Sequence, residues 1–331
     1  MSNSRLPSDL PAASRSAASA APASSPSGSS GPTFVGVGGQ KCASTWLAEC
    51  LAAHPEVFVH PKKEIKYFNL LTQEGQANED TNLPLDWYLD HFAGSDCVSR
   101  GEFTPDYLFE PTAAERMRND LGPIRILCVF RDPVARLKSH LRHCVRRGLL
   151  HVDLSRPLGV VELEGLVQAY PGLVQNGFYF DALQPFLDAF GPEHVCVSIY
   201  EQMTAQPHAE VARVFEFLGV DATFEPPMLE KVVGGGFVPK SRLAENSRIA
   251  VFKTLHRFAP ALLPMIRATG VTTMYRKLNA KPLATRLTPD AEQLLRDLYA
   301  DTAAGLESLG LLTPGLWSCS TASLPTASIA A

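Results

Sequence analysis

Predicted strands alternate with predicted helices through most of the chain. Strands are predicted at residues 33–38, 57–59, 98–102, 124–130 and 194–200, most of which are short β-branched and apolar runs. Apolar positions at helical spacing predict helices at residues 45–53, 133–147, 178–190, 207–218 and 288–309. The run at 124–130 is apolar almost throughout, which is typical of a central parallel strand. This alternation predicts an α/β fold with a central parallel sheet flanked by helices.

Both ends of the chain depart from this pattern. Residues 1–32 include 11 Ser, 7 Ala, 5 Pro and 2 Gly, so almost nothing there could enter a hydrophobic core. Residues 312–331 have a similar Thr, Ser, Ala and Pro character apart from Trp317. We therefore expect a disordered tail at 1–32, one folded domain at 33–311 and a low-complexity C-terminal tail at 312–331.

The overall composition argues against several classes of protein. The formal net charge is −4, so the protein lacks the excess of basic residues that is typical of proteins that bind a nucleic-acid polymer. Seven scattered cysteines without a Cys-x-x-Cys pair make a disulfide framework or a metal site unexpected, and they favour a cytoplasmic location. The N-terminal tail contains no apolar run as long as a signal-peptide core, and no segment of the sequence is long and apolar enough to span a membrane, so no membrane span is expected.

Candidate chemistry first appears in the loop that follows the first predicted strand. Gly38-Gly-Gln-Lys-Cys-Ala-Ser-Thr45 places a lysine and two hydroxyls at the start of a predicted helix. Free backbone amides and the helix dipole favour an anion there, so phosphate or a similar oxyanion is the expected ligand. Cys42 stands where a Walker A loop carries its magnesium-binding hydroxyl, which disfavours an NTPase. A simple glycine turn with a solvated lysine is the alternative interpretation.

A second candidate motif follows the buried run at 124–130. It reads Arg131-Asp-Pro-Val-Ala-Arg-Leu-Lys-Ser139, with Arg131 at the carboxyl end of a predicted parallel strand. Ligands bind at that edge of α/β sheets, and the planar guanidinium of arginine suits a phosphate. Arg136 either contacts the same ligand or only braces the loop.

These two motifs resemble those of the sulfotransferases that use 3′-phosphoadenylyl sulfate (PAPS). The run Lys41-Cys-Ala-Ser-Thr-Trp-Leu47 is similar to the family's K-x-G-[ST]-[ST]-W-L loop, with Ala43 in place of glycine. Residues 131–139 are similar to its R-[DN]-P-x-x-R-x-x-S motif. The resemblance implies a three-layer P-loop-like fold. It also implies cofactor-binding roles in the first motif for Lys41, Cys42, Ala43, Ser44, Thr45 and Trp46, and in the second for Arg131 and Ser139. Trp46 would stack near the adenine or pack in the core.

Weaker matches extend the resemblance towards the heparan sulfate and bacterial carbohydrate-type enzymes. Residues 61–68 are similar to a segment whose glutamate, here Glu64, is the general base. Residues 101–108 are similar to the family's G-E-x-[ST]-P-x-Y-L segment, with Phe103 at a position that is often lysine. The resemblance further implies that Tyr200 packs beside the adenine and that a basic loop closes over the nucleotide, with the residues Lys240, Ser241 and Arg242.

The implied reaction is transfer of the sulfuryl group from PAPS to a hydroxyl or amine, without a metal and with 3′,5′-adenosine bisphosphate as the product. Glu64 would take the acceptor proton, with His60 as the alternative base and Lys66 as a neighbour, and Lys41 would stabilise the leaving phosphate. The acceptor would carry a hydroxyl, with a glycan among the candidates. A P-loop kinase and a non-catalytic nucleotide-binding module are the alternative functions.

One predicted helix carries a row of cationic side chains. Lys138, Arg142 and Arg146 recur every four residues on it, which fits either an anionic acceptor or a solvated helix face.

Cys42 lies near a helix N-terminus and a lysine. These conditions lower the pKa of a thiol, so an oxidisable cysteine is expected there.

Overall fold

Five parallel strands form one sheet in the computed structural model, which describes residues 31–70, 78–229 and 285–320 and short stretches between 238 and 281. The strands are β1 (Phe34–Gly38), β2 (Val57–Val59), β3 (Ser99–Phe103), β4 (Arg125–Phe130) and β5 (Val195–Ile199). Their order in the sheet is β2-β3-β1-β4-β5, and every neighbouring pair is parallel. A separate antiparallel pair joins β6 (Val238–Pro239) to β7 (Ala280–Lys281).

The helices before β5 are α1 (Ser44–Ala52), α2 (Leu85–Leu89), α3 (Ala113–Leu121), α4 (Pro133–Arg147), α5 (Val160–Ala169), α6 (Gly172–Gln175) and α7 (Tyr179–Phe190). After β5 the structure describes α8 (Tyr200–Ala205), α9 (Pro207–Leu218) and a long final helix that we number α10 (Pro289–Ser308). Short 3₁₀ turns lie at Glu79–Asn82, Asp90–Phe92, Tyr107–Phe109 and Pro192–His194.

Helices cover the sheet as the alternating pattern predicts. α1 packs against β2, β3 and α9, whereas α7 packs against β4, β5 and α3. Every residue of β1 and β5 is buried, and so is every residue of β4 after Arg125, which explains why these strands read as continuous apolar runs. The predicted parallel α/β fold flanked by helices is confirmed.

The strand order creates a crevice at one edge of the sheet. The chain moves from the central strand β1 to β2 and β3 on one side, and then crosses to β4 and β5 on the other. Loops that leave the carboxyl ends of strands on the two sides of such a reversal diverge, which leaves a space between them where ligands bind. The loops after β1 and β4, which carry the two candidate motifs, therefore emerge beside each other.

Local sequence signals set the start of α4. The Oδ1 atom of Asp132 accepts a hydrogen bond of 2.9 Å from the Ala135 amide, and Pro133 is the first helical residue. A carboxylate at the N-cap and a proline at the first position are both favourable in helices. α4 therefore begins at a fixed point, two residues after Arg131.

Residues 312–320, which composition assigned to the C-terminal tail, pack against the domain. Leu312, Trp317 and Cys319 are all buried. Their few apolar side chains fit onto a core that the rest of the chain has already built, so a low average hydrophobicity does not prevent burial. The packed part of the chain thus continues to Ser320, beyond the boundary expected at 311.

In the part of the chain that the structure describes, no helix combines the length and the apolar character needed to cross a membrane.

Candidate active site

The loop between β1 and α1 has the backbone geometry of an anion-binding turn. Lys41 and Ala43 have φ angles of 66° and 74°, in the left-handed region that residues other than glycine rarely enter. The amides of Trp46 and Leu47 both donate to the Ala43 carbonyl. The amides at the very start of α1 therefore have no acceptor within the helix and are suited to an anion.

Positive charge concentrates around Lys41. The pKa of Lys41 is lowered to about 8, chiefly because its side chain is largely buried, and further because Arg146, Lys63 and Arg142 repel its charge. Lys63 donates a hydrogen bond to the Thr45 hydroxyl oxygen, which leaves the hydroxyl hydrogen available to a ligand. A bound anion would relieve the repulsion among these side chains.

Arg131 and Tyr200 meet at the carboxyl ends of the neighbouring strands β4 and β5. The Arg131 guanidinium carbon lies 4.2 Å from the centre of the Tyr200 ring, a cation–π contact. The buried Nε of Arg131 makes no hydrogen bond to any described residue. Ser139 is half-buried on the second turn of α4. Arg131 directly precedes the N-cap of α4, and its unsatisfied buried nitrogen and the hydroxyl of Ser139 on that helix are groups that suit a phosphate.

The structure favours a bracing role for Arg136. This side chain is fully buried, donates a hydrogen bond to the Leu173 carbonyl at α6 and lies 3.2 Å from Nδ1 of His140. Its guanidinium therefore holds α4 against α6, as expected from the bracing alternative.

Glu64 lies on a strained segment that β3 and the residue after it hold through two amide hydrogen bonds. The φ angles of Glu64 and Lys66 are 67° and 66°. The Glu64 amide donates to the Phe103 carbonyl at 3.0 Å, and the Lys66 amide donates to the Thr104 hydroxyl at 3.3 Å. Backbone strain of this kind persists only where the surroundings impose it, and it is common at active sites.

The Glu64 carboxylate belongs to a short polar network. Nζ of Lys66 lies 3.6 Å from Oε2 of Glu64 and also 3.6 Å from Oδ2 of Asp106. Asp106 in turn accepts a hydrogen bond from the side-chain amide of Gln40, in the loop after β1. Glu64 and the Lys41 loop are thus linked through two side chains, which places the candidate base near the candidate anion site.

His60, the alternative base, has a different environment. Its Nδ1 lies 3.3 Å from the Lys62 carbonyl, and its ring packs on that of His91 with centroids 4.8 Å apart. Burial lowers the pKa of His60 and outweighs the hydrogen bond with the Lys62 carbonyl, which raises it. Glu64 forms an ion pair with Lys66, which belongs to the polar network that reaches the anion loop. Glu64 is therefore the better placed of the two candidate bases.

The side chains of Cys42 and Trp46 in the first motif are buried. Cys42 is fully buried with its Sγ 3.5 Å from the Tyr179 hydroxyl, and burial raises the pKa of its thiol to about 11. The expectation of an easily ionised, oxidisable Cys42 is therefore wrong, because desolvation outweighs the nearby positive charges. Trp46 is 8% exposed and packs in the hydrophobic core, which favours packing over stacking on the adenine.

Lys240, Ser241 and Arg242, the residues predicted to close over the nucleotide, lie outside the described residues. Within the described ranges, no group of three or more His, Cys, Asp or Glu side chains is arranged to hold a metal ion.

Sequence reasoning assigned no role to Glu102 or Glu201, which the structure places beneath the site. Glu102 is fully buried, and the pKa of its carboxyl is raised to about 7 because burial disfavours the charged form more than hydrogen bonds from Thr104 and Tyr107 favour it. Glu201 accepts a hydrogen bond of 3.1 Å from the Asp132 amide. Glu102 is part of the quoted segment 101–108 and Glu201 follows Tyr200, but only the fold shows what surrounds each side chain.

The fold and the site together define an α/β protein of the P-loop-like class with an anion-binding loop. Its anion loop follows the central strand, and an arginine with an unsatisfied nitrogen follows the next strand. The family model described as "Sulfotransferase domain" matches residues 33–234, well over half of the chain. The chain therefore belongs to the sulfotransferase family.

Individual relatives agree with this assignment. The membrane-associated sulfotransferase kil1 of Dictyostelium discoideum is 31% identical over 119 residues, which are 35% of this chain and 23% of that protein. The match thus spans about a quarter of the length of that relative. The crystal structure of a sulfotransferase from Alicyclobacillus acidocaldarius superimposes with a TM-score of 0.57 at 25% identity, and the alignment covers 84% of this chain and 95% of that one.

Proposed function

We propose that this protein transfers the sulfuryl group of PAPS to a hydroxyl or amine of an acceptor. The observation that carries the proposal is the meeting of three features at one edge of the sheet. These are the cationic loop around Lys41, the Arg131–Tyr200 pair with its unsatisfied nitrogen, and the Glu64 carboxylate linked to the Lys41 loop. Membership of the sulfotransferase family supports the same reaction.

The described residues suit the two anionic ends of PAPS. The amides at the start of α1, together with Lys41, Ser44 and Thr45, would hold the 5′-phosphosulfate. Arg131 and Ser139 would hold the 3′-phosphate, since a guanidinium can donate two parallel hydrogen bonds to it. Tyr200, already in contact with Arg131, would pack beside the adenine. Cys42 and Ala43 would contribute backbone only, because the Cys42 thiol is buried and Ala43 carries no polar side chain.

The proposed chemistry is an in-line displacement at sulfur. The bond between sulfur and the oxygen bridging to the 5′-phosphate breaks as the acceptor oxygen or nitrogen bonds to sulfur. Glu64 takes the proton that the acceptor loses, which is general base catalysis. Lys41 stabilises the negative charge that develops on the leaving phosphate oxygen, which is an electrostatic role.

The acceptor is proposed to carry a hydroxyl group, and carbohydrates are the first class to test. Arg142 and Arg146 lie close enough to Lys41 to lower its pKa, so positive charge extends from the anion loop along α4. This extension would attract acceptors that carry a negative charge.

The test is transfer of label from ³⁵S-labelled PAPS to a panel of carbohydrates and small hydroxyl compounds. For an accepted compound, Glu64→Gln should lower kcat by about 10²- to 10⁴-fold while leaving the Kd for 3′,5′-adenosine bisphosphate unchanged. Glu49→Gln is the matched control, since Glu49 is an exposed carboxylate on α1, and it should leave both quantities unchanged.

The alternatives give different results. Magnesium-dependent transfer of phosphate from ATP, without sulfation, would identify a kinase. The buried thiol of Cys42 argues against a kinase, because it cannot supply the hydroxyl that binds magnesium in a Walker A loop. Binding of the bisphosphate without transfer to any compound would instead favour a non-catalytic module. Full activity in Glu64→Gln would show that another group is the base.

A further inference from the structure

Two carboxylates, the buried Asp132 and the half-buried Glu201, adjoin the Arg131–Tyr200 pair. Asp132 follows Arg131 in the chain, and Glu201 follows Tyr200. The Asp132 amide donates a hydrogen bond of 3.1 Å to Oε1 of Glu201, so the loop after β4 is tied to the start of α8. Oδ1 of Asp132 is occupied as the N-cap of α4. Each carboxylate thus uses one oxygen to hold the elements that carry the pair.

Residues 312–320, which we call the C-terminal strap, occupy the second oxygen of each carboxylate. The indole nitrogen of Trp317 donates to Oε2 of Glu201 at 3.1 Å. The amide of Ser318 donates to Oδ2 of Asp132 at 2.6 Å. The strap therefore completes the hydrogen bonding of both groups, and it bridges the loop after β4 to the start of α8.

Packing fixes the strap in this position. Trp317 is 2% exposed, and its ring lies 5.8 Å from that of Tyr179. Tyr179 stacks on Phe130 at the end of β4 with ring centroids 4.6 Å apart, and its hydroxyl contacts the Cys42 thiol of the anion loop. The strap is thus in contact with a chain of side chains that reaches both candidate motifs.

The hydrogen bonds to Glu201 stabilise the charged form of its carboxylate. Burial raises the pKa of Glu201, whereas hydrogen bonds from Asp132 and Trp317 favour its charged form. Without the indole donor, the half-buried Glu201 carboxylate would lose a bond that offsets its partial desolvation, and the start of α8 would have to shift or take in water.

We propose that the C-terminal strap positions Arg131 and Tyr200 for the 3′-phosphate, so that preference for a 3′-phosphorylated nucleotide depends on Trp317. This inference rests on the proposed function, in which Arg131 binds the 3′-phosphate. Trp317 and Ser318 act through Asp132 and Glu201, and they are positioning residues that touch no ligand.

The experiment measures the Kd of 3′,5′-adenosine bisphosphate and of adenosine 5′-phosphate by calorimetry on the full chain. Trp317→Phe keeps an aromatic ring and removes only the indole donor. We expect it to weaken bisphosphate binding about 10-fold and adenosine 5′-phosphate binding less than about 2-fold. Gln202→Ala is the matched control, because it removes an exposed hydrogen bond between α8 and Thr313 of the strap, and it should change neither Kd.

Any other outcome would overturn either the positioning role of Trp317 or the 3′-phosphate assignment itself. Equal weakening of both ligands by Trp317→Phe, or unchanged binding of both, would overturn the positioning role. If Trp317→Phe does not fold, Glu201→Gln provides the same comparison of the two ligands, since it weakens the acceptor of the indole bond. A wild-type protein that binds the two nucleotides equally well would instead overturn the assignment of the 3′-phosphate site, and with it the proposed function.

Discussion

Lys41 shows how burial and like charge act together on a single side chain. Its pKa falls to about 8 because the ammonium group is largely removed from water and lies near three other cations. A bound polyanion favours the charged form, so the pKa of Lys41 in a nucleotide complex is higher than in the free protein. Binding therefore takes up a proton at pH values above about 8.

This difference predicts a pH dependence of nucleotide affinity. Above pH 8 the free protein loses the Lys41 proton that the complex retains, so the affinity for 3′,5′-adenosine bisphosphate should fall by up to about tenfold per pH unit. Calorimetry between pH 7 and 9.5 measures the effect. Lys41→Arg, whose guanidinium stays charged in this range, should bind with a nearly constant Kd. If the Kd changes with pH equally in the wild-type protein and in Lys41→Arg, a group other than Lys41 is responsible for the pH dependence.

At the scale of elements, β3 and Thr104 after it hold the segment that carries Glu64. Thr104 has a double role, because its hydroxyl accepts from the Lys66 amide and donates to Oε2 of Glu102 at 2.7 Å. Since Glu64 and Lys66 both have positive φ, the segment needs these bonds to keep its conformation. The position of the proposed base thus depends on a threonine that does not itself contact a substrate.

Removal of the Thr104 hydroxyl should therefore reduce turnover more than nucleotide binding. We expect Thr104→Val, which keeps the shape of the side chain, to lower kcat about 10-fold and to leave the Kd for 3′,5′-adenosine bisphosphate within about 2-fold. Steady-state kinetics and calorimetry give the two quantities. The matched control is Thr302→Val at a buried threonine of α10, which should not change kcat. A variant of Thr104 with reduced stability but normal kcat would contradict the positioning role.

At the scale of the whole molecule, the sheet brings together motifs that are about 90 residues apart in the chain. The loop after β1 contributes the cationic anion site, and the loop after β4 contributes Arg131, while strand order places the two side by side. A ligand that binds both loops ties the two halves of the sheet together only in the folded state. Binding should therefore stabilise the entire domain.

The predicted effect is a higher melting temperature with nucleotide. At a bisphosphate concentration of 100 times the Kd, the free energy of unfolding should rise by about 2.7 kcal/mol. Arg131→Ala should abolish most of the rise, because the 3′-phosphate loses its guanidinium partner. Scanning fluorimetry with and without ligand measures both proteins. An equal rise in Arg131→Ala would show that this arginine does not bind the nucleotide.

Much of the fold could be predicted because the relevant signals are local. The helices at 133–147 and 207–218 are confirmed with the predicted bounds, since proline at the first position and glycine after the last residue mark their ends. The five strands of the parallel sheet fall within one residue of their predicted ends, and β1, β4 and β5 were recognisable because buried parallel strands read as continuous apolar runs. Helix α3 was not predicted; its mean hydropathy is low, and its amphipathic pattern spans only nine residues.

The sequence by itself determined the alternation of strands and helices and the two anion-binding motifs, because backbone propensity, capping and spacing act over a few residues. Only the tertiary structure decided the pKa values of the groups at the site and the contacts that hold the site in place. Burial reversed the expected pKa of Cys42, raised that of Glu102, and turned the Trp317 segment from an expected tail into a packed strap. Desolvation and long-range hydrogen bonds depend on which distant residues surround a group, and neighbouring positions in a sequence do not carry that information.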